Sequence, residues 1–146
     1  MNATLDLEQA PGHLIRRMHQ IAVAAFAREV GDADITPVQF GLLHVLAASP
    51  VLDQITLAKR VALDAATSGS VISRLEAKGW IVRTPDTQDR RRKLLQITPE
   101  GQAMLHGITG AVVRAQSQML APLSEHDQQQ LMRLLSHLVG AHESTA

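Results

Sequence analysis

The chain has 146 residues, no cysteine, 45% hydrophobic and 19% charged residues, and a formal net charge of zero. That length supports one domain with its own core, and the missing cysteines exclude a disulfide framework, thiolate catalysis and cysteine-ligated zinc. Aromatic residues make up only 2%, so stacking on single-stranded bases is a poor prospect. No apolar run approaches the roughly 18 residues of a membrane span. The opening MNATLDLEQAPG is acidic and polar, unlike a signal peptide. A soluble cytoplasmic protein with no membrane contact is expected.

The first predicted element is a long helix over residues 7–30, with Leu14, Met18, Ile21 and Ala25 at helical steps and Ile15, Ala22 and Phe26 beside them. Gly31 ends it. Thr36-Pro37-Val38-Gln39 is a helix start, with a hydroxyl cap, proline at the first position and glutamine three after the cap. This second helix runs over 37–48 and stops at Ser49-Pro50. A short helix follows at 56–62, and Asp64 caps another at about 65–78 that Gly79 terminates. Trp80–Thr84 and Leu94–Ile97 read as strands of a hairpin with a charged tip. Thr98-Pro99 opens a helix to about residue 121, striped by Met104, Ile108, Ala111, Ala115 and Met119. After Pro122, Ser124 opens a last helix carrying Leu131, Leu134, Leu135 and Leu138 on one face, and the tail beyond Gly140 is expected to fray.

The zero net charge conceals a division. Residues 54–98 hold nine basic and four acidic side chains, a net of +5, balanced by −5 elsewhere. A basic middle between acidic ends suggests a polyanion-binding module within a scaffold of different purpose.

The helices at 56–62 and 65–78, joined by a short turn, form a helix-turn-helix pattern whose second helix suits the major groove. Val71, Ile72 and Leu75 point inward; Ala66, Thr67, Gly69, Ser70, Ser73 and Arg74 fall on the other side. Small hydroxyl residues let a backbone approach DNA closely and donate to phosphates or base edges. Thr67, Ser68, Ser70, Ser73 and Arg74 are the candidate groove residues. Arg90, Arg91, Arg92 and Lys93 at a hairpin tip following such a helix read as a wing reaching the adjacent minor groove.

The stretches ITPVQFGLLHVLAASP and ITLAKRVALDAATSGSVISRLEAKGWIVRTPDTQDRRRKLLQITPEG resemble the MarR family of winged-helix transcription regulators. The likeness spans about residues 12–121 and is strongest at Leu75-Glu76-x-x-Gly79, Asp89-x-Arg91 and Ile97-Thr98-Pro99-Glu100-Gly101. It implies that Asp89 orients a basic side chain, either a wing arginine or Arg74, and that Arg90 to Arg92 supply the wing contact. Ser70 stands where members often carry a bulky basic residue, which shifts readout toward Ser73, Arg74 and groove shape.

The terminal helices carry more apolar stripe than one small domain can cover, and the resemblance implies a homodimer in which they interlock. The expected architecture is mainly α with a small β-hairpin wing. Residues 36–98 form the winged helix-turn-helix, and residues 1–35 and 99–146 form a dimerisation layer. Two-fold symmetry then predicts a pseudo-palindromic double-stranded operator with half-sites roughly 34 Å apart.

The resemblance further implies a cleft between the two layers for small anionic aromatic compounds. His13, Arg16, Arg17, His19 and Gln20 on the first helix are candidate anchors, since arginine holds a carboxylate bidentately. Phe40, Leu43 and His44, with the start of the fifth helix, are the expected opposing wall. The segment HLIRRMHQIAVAAF is similar to that of family regulators of aromatic-acid catabolism, which implies a repressor released by a hydroxylated benzene- or pyridine-carboxylate or its coenzyme A thioester. The alternatives are zinc sensing through His44 and His106, or an architectural winged helix with no effector. No cofactor, no resident metal and no catalytic constellation is expected: the chain has no Gly-rich phosphate loop, no paired-carboxylate motif and no supported Ser-His-Asp arrangement.

Overall fold

A computed structural model describes residues 3–144; the outermost two residues of each predicted terminal segment lie outside the described residues. Pro11 begins α1 (Pro11–Val30), since its missing N–H is one that a first helical turn leaves unpaired. The helix expected over 7–30 is thereby divided, and Leu7–Gln9 form a separate 3-10 turn capped by Asp6. Gly31, at φ +59°, turns the chain out of α1.

α2 (Pro37–Ala48) opens with the expected reciprocal cap: Gln39 N–H donates to Thr36 Oγ1 at 3.2 Å, and Thr36 N–H donates to Gln39 Oε1 at 3.1 Å. A two-residue strand, β1 (Leu52–Asp53), comes next and was not expected. α3 (Gln54–Arg60) begins before residue 56 because Asp53 caps it, its Oδ1 accepting Thr56 N–H at 2.9 Å. The turn to α4 (Ala65–Ala77) places Ala62 at φ +57°, a left-handed conformation that an L residue rarely adopts.

β2 (Ile81–Pro85) and β3 (Lys93–Ile97) pair antiparallel from Ile81 opposite Ile97 to Pro85 opposite Lys93. β1 adds to the far side of β3, with Leu52 opposite Leu95, so the sheet runs β1-β3-β2. The hairpin is thus one part of a three-stranded sheet. α5 (Pro99–Leu120) follows under a Thr98 cap, and α6 (Glu125–Glu143) under a Ser124 cap. α6 passes through Gly140 to Glu143, beyond the expected frayed boundary.

The core lies where α2, α3, α4 and the sheet meet. Leu42, Leu43, Leu46, Leu57, Ile72, Leu75, Ile81 and Leu95 are all fully buried. Leu105, Ile108 and Val112 of α5 extend it toward Phe26 and Ile35. α1 packs along α5, and Glu29 fastens the pair by accepting from Arg114 Nε at 3.0 Å and Gln118 Nε2 at 2.7 Å. α6 has no buried residue.

Candidate nucleic-acid interface and effector cleft

The second helix of the helix-turn-helix, α4, is pinned at its start by Asp64. Its Oδ1 accepts Thr67 N–H at 2.7 Å, and its Oδ2 accepts the Thr67 hydroxyl at 3.0 Å. These bonds, the backbone one first, hold the Asp64 carboxyl below its ordinary pKa. The Thr67 hydroxyl proton is thus committed to the cap, which leaves its oxygen as an acceptor. Ser70, Ser73 and Arg74 are exposed along α4.

Ser68 departs from its expected place. It is 1% exposed, and its hydroxyl donates to Ala65 carbonyl at 3.0 Å. Positions 68, 72 and 75 lie at helical steps of four and three, so Ser68 shares the inward face of Ile72 and Leu75. It belongs to the packing of α4, not to a DNA-facing surface.

Arg83, on β2, is a residue that the sequence reading passed over. Its guanidinium donates to Gln54 Oε1 at 3.3 Å, Ser73 Oγ at 3.3 Å and Glu76 Oε1 at 3.1 Å. One side chain therefore joins α3, α4 and the wing. The Leu75-Glu76-x-x-Gly79 pattern resolves into three jobs. Leu75 fills the core, Glu76 holds Arg83, and Gly79 adopts φ +77° at the turn into the sheet.

At the wing, Asp89 Oδ1 accepts both Arg91 N–H and Arg91 Nε–H, each at 3.1 Å. The side-chain bond from Arg91 is the main cause that holds the Asp89 carboxyl below its usual range. Of the two partners open to Asp89, the one it takes is therefore the wing arginine. The Arg91 side chain is 92% exposed, and among the described residues Arg90 is in no ion pair. Arg92 is placed differently: it meets Asp53 Oδ2 at 3.1 Å and Asp86 Oδ2 at 3.7 Å.

Asp53 is both the α3 cap and a partner of Arg92. Bonds from the Thr56 hydroxyl and N–H, then Arg92, bring its pKa from 3.8 to about 2. A depressed carboxylate stabilises the fold above its ordinary pKa, and that contribution is lost as pH falls from 3.8 through about 2. Melting temperature is therefore expected to fall more steeply in the parent than in Asp53→Asn between about pH 5 and pH 2. Parallel curves for the two proteins would contradict this account.

Of the candidate effector residues, His19 lines one hollow and His44 another, while His13, Arg16, Arg17 and Phe40 line neither. A cleft of about 400 Å³ lies between α1, the far end of α5 and α6. His19, Phe26, Gln116, Met119, Met132 and Leu135 are among its lining residues. Of the polar anchors expected on α1, only His19 reaches it. His13 is half-buried, Arg16 is exposed, and Arg17 donates to Gln20 Oε1 at 2.8 Å along its own helix. Leu43 is fully buried in the core and forms no cleft wall, because α2 turns that face toward α4 and the sheet.

Phe40 meets Phe26 edge-on at 6.3 Å and stacks on His44 at 5.8 Å. His44 lines a separate hollow of about 370 Å³ against the start of α5, with Gln102, His106 and Thr109. His44 and His106 therefore share a hollow, but among the described residues no group of three potential ligands surrounds a metal position.

Among the described residues, no helix is long and apolar enough to cross a membrane. The sequence pattern of the MarR family matches residues 35–93. The chain is 37% identical over 92% of its length to a candidate transcriptional regulatory protein for the hcr operon of Thauera aromatica, 81% of which is covered. It is similar to the PcaV transcriptional regulator of Streptomyces coelicolor, solved with its natural ligand. That match has a TM-score of 0.87 at 34% identity and covers 96% of this chain and 99% of PcaV. It is also similar to Bordetella bronchiseptica BpsR, whose DNA binding is regulated by 6-hydroxynicotinic acid. There the TM-score is 0.88 at 27% identity, with 94% and 98% coverage. These relatives are named as regulators of transcription or DNA binding, and the two solved ones superpose on the arrangement of six helices and small antiparallel sheet described above. The chain belongs to the MarR family of winged-helix transcriptional regulators.

Proposed function

We propose that the chain works as a two-fold homodimer that binds a pseudo-palindromic operator and represses until an aromatic or heteroaromatic carboxylate releases it. Residues 36–98 are the DNA-binding unit, and residues 1–35 with 99–146 form the dimer layer. The observation that carries this reading is the exposed basic wing, Arg90 and Arg91, joined through Arg83 to an exposed α4 surface of Ser70, Ser73 and Arg74. α4 enters the major groove, Thr67 offers its hydroxyl oxygen at the helix start, and the wing arginines enter the neighbouring minor groove. A second support is the run of exposed apolar side chains on α1 and α6, among them Ile15, Leu134, Leu138 and Val139, which a partner subunit would cover.

The effector reading rests on the apolar cleft beside His19 and on the ligands named for BpsR and PcaV. Ring faces suit its phenylalanine, methionine and leucine walls, and His19 and Gln116 offer polar contacts for a ring substituent. Arg16, exposed one turn before His19 on the same face, lies outside the cleft lining and meets a carboxylate only by folding its side chain over the cleft mouth, with Arg17 and His13 beside it on α1. Phe40 lies behind the cleft wall, edge-on to Phe26, and His44 lines the separate hollow beside α5. Binding releases DNA only to the extent that the ligand prefers a spacing of the two lobes that misfits successive major grooves.

Thermal shift against hydroxylated benzene- and pyridine-carboxylates and their thioesters tests this reading. A selective rise is expected, together with loss of DNA in a gel shift by the same compound. Arg16→Ala and Arg17→Ala together are expected to abolish the rise while leaving operator affinity within about twofold. A flat response across the panel, with DNA binding intact, would favour a regulator without an aromatic effector.

A further inference from the structure

Four cations crowd residues 90–93, but their surroundings set one apart. Arg92 N–H donates to Asp89 carbonyl and Arg92 carbonyl accepts from Asp86 N–H, both at 2.9 Å, so its backbone closes the wing loop. Its guanidinium then reaches 39 residues back along the chain to Asp53, the cap of α3, while also meeting Asp86. The side chains of both carboxylates are largely covered, at 18% and 14% exposure. Arg91, by contrast, is held among the described residues only by Asp89 within the loop and stands out into solvent.

We infer that Arg92 is a positioning residue: it straps the wing loop to the start of the helix-turn-helix and fixes where Arg90 and Arg91 sit relative to α4. This rests on the proposed DNA-binding reading and assigns Arg92 a role distinct from the minor-groove contact that its place in the basic run suggested. The geometric reason is that the distance between recognition helix and wing tip must match the distance between a major groove and its neighbouring minor groove. A two-strand hairpin alone leaves its tip free to swing. The strap joins that tip to the element that carries α4.

The test turns on an effect of opposite sign. Asp53→Asn with Asp86→Asn removes two negative charges beside a DNA-binding surface, which by charge alone tightens binding to a polyanion. Asparagine remains a good helix cap and turn acceptor, so α3 and the loop keep their backbone partners. If Arg92 is a strap, the double variant instead weakens operator binding, by about tenfold, because the wing loses its anchor. Arg92→Ala weakens binding similarly, Arg92→Lys recovers part of the loss, and Arg92→Ala adds less than about twofold on top of the double variant. Tighter or unchanged binding by Asp53→Asn/Asp86→Asn, or full additivity with Arg92→Ala, overturns the inference. Arg91→Ala in the same titrations is the control on the underlying reading. It should reduce the slope of log affinity against log salt by about 0.9, as one lost phosphate contact does. An unchanged slope there rejects the wing as a DNA contact, an outcome distinct from failure of the strap.

Discussion

Leu135→Asp combined with Leu138→Asp is expected to give a folded monomer that has lost operator binding. Both residues lie on the Leu131, Leu134, Leu135, Leu138 stripe of α6, and they are 39% and 50% exposed in the single chain. No residue of α6 is buried, so charges there leave the hydrophobic core untouched. In an assembled dimer the same charges would sit unpaired against apolar side chains, at a cost of several kcal/mol each by the usual desolvation argument. A monomer engages one half-site only, and loss of the second engagement costs about 10²–10⁴ in overall affinity. Light scattering reads the mass, circular dichroism the fold, and a gel shift the affinity. A variant that stays dimeric, or a monomer that binds as tightly as the parent, would remove α6 from the dimer layer.

Gly101→Ala is expected to be the most crowded of the glycine-to-alanine changes among the described residues. A Cβ at Gly101 would lie 2.2 Å from the Trp80 carbonyl oxygen and 2.8 Å from Ile97 Cγ1. That carbonyl cannot step aside freely, since it accepts Thr98 N–H at 2.9 Å, while the Thr98 hydroxyl donates to the neighbouring Gly79 carbonyl. The Thr98 oxygen in turn caps α5 by accepting Gly101 N–H at 3.0 Å. Relieving the clash therefore means moving the start of α5 away from the turn that follows α4. Overpacking of this kind costs about 3 kcal/mol, and each kcal/mol lowers the melting temperature of a chain this size by roughly 2–4 °C. A drop near 10 °C is expected in a thermal melt. A melt within about two degrees of the parent would mean that the joint yields more easily than its hydrogen bonds suggest.

Much of this architecture is legible in the sequence because its signals are local. Thr36-Pro37, Asp64, Thr98-Pro99 and Ser124 each cap the helix expected of them, since a side-chain oxygen three residues before an unpaired N–H is a short-range device. The misses have equally physical causes. Leu52–Asp53 is too short to show a period of two, and it becomes a strand only because Leu95 and Leu94 lie opposite. Pro11 marks the true start of α1, and the apolar stripe from Leu14 onward fixes the helix without fixing where it begins. Ser68 illustrates a conflict between chemistry and spacing. A hydroxyl looks like a surface group, yet its helical phase is that of Ile72, and it is satisfied by its own backbone.

The site was less legible than the fold, because its partners are remote in sequence. The roles of Arg83 and Arg92 depend on Gln54 and Asp53, which the chain brings back through the sheet. The wall of the cleft came from α6 and the far end of α5, not from Leu43 and the start of α5. Which end of a helix faces another is set by crossing geometry, and residue periodicity does not encode it.

The seat of Trp80 has a practical consequence. It is the one tryptophan in the sequence, half-buried, with the Lys78 ammonium 4.7 Å from its ring centroid. Its carbonyl is the point against which the start of α5 packs. An indole's emission responds to the charge and water beside it, so the ultraviolet fluorescence of this protein originates at a single mechanical joint. Any ligand or DNA that shifts the sheet and α4 against α5 would alter the colour or lifetime of that emission, giving an unlabelled optical gauge of movement at this joint.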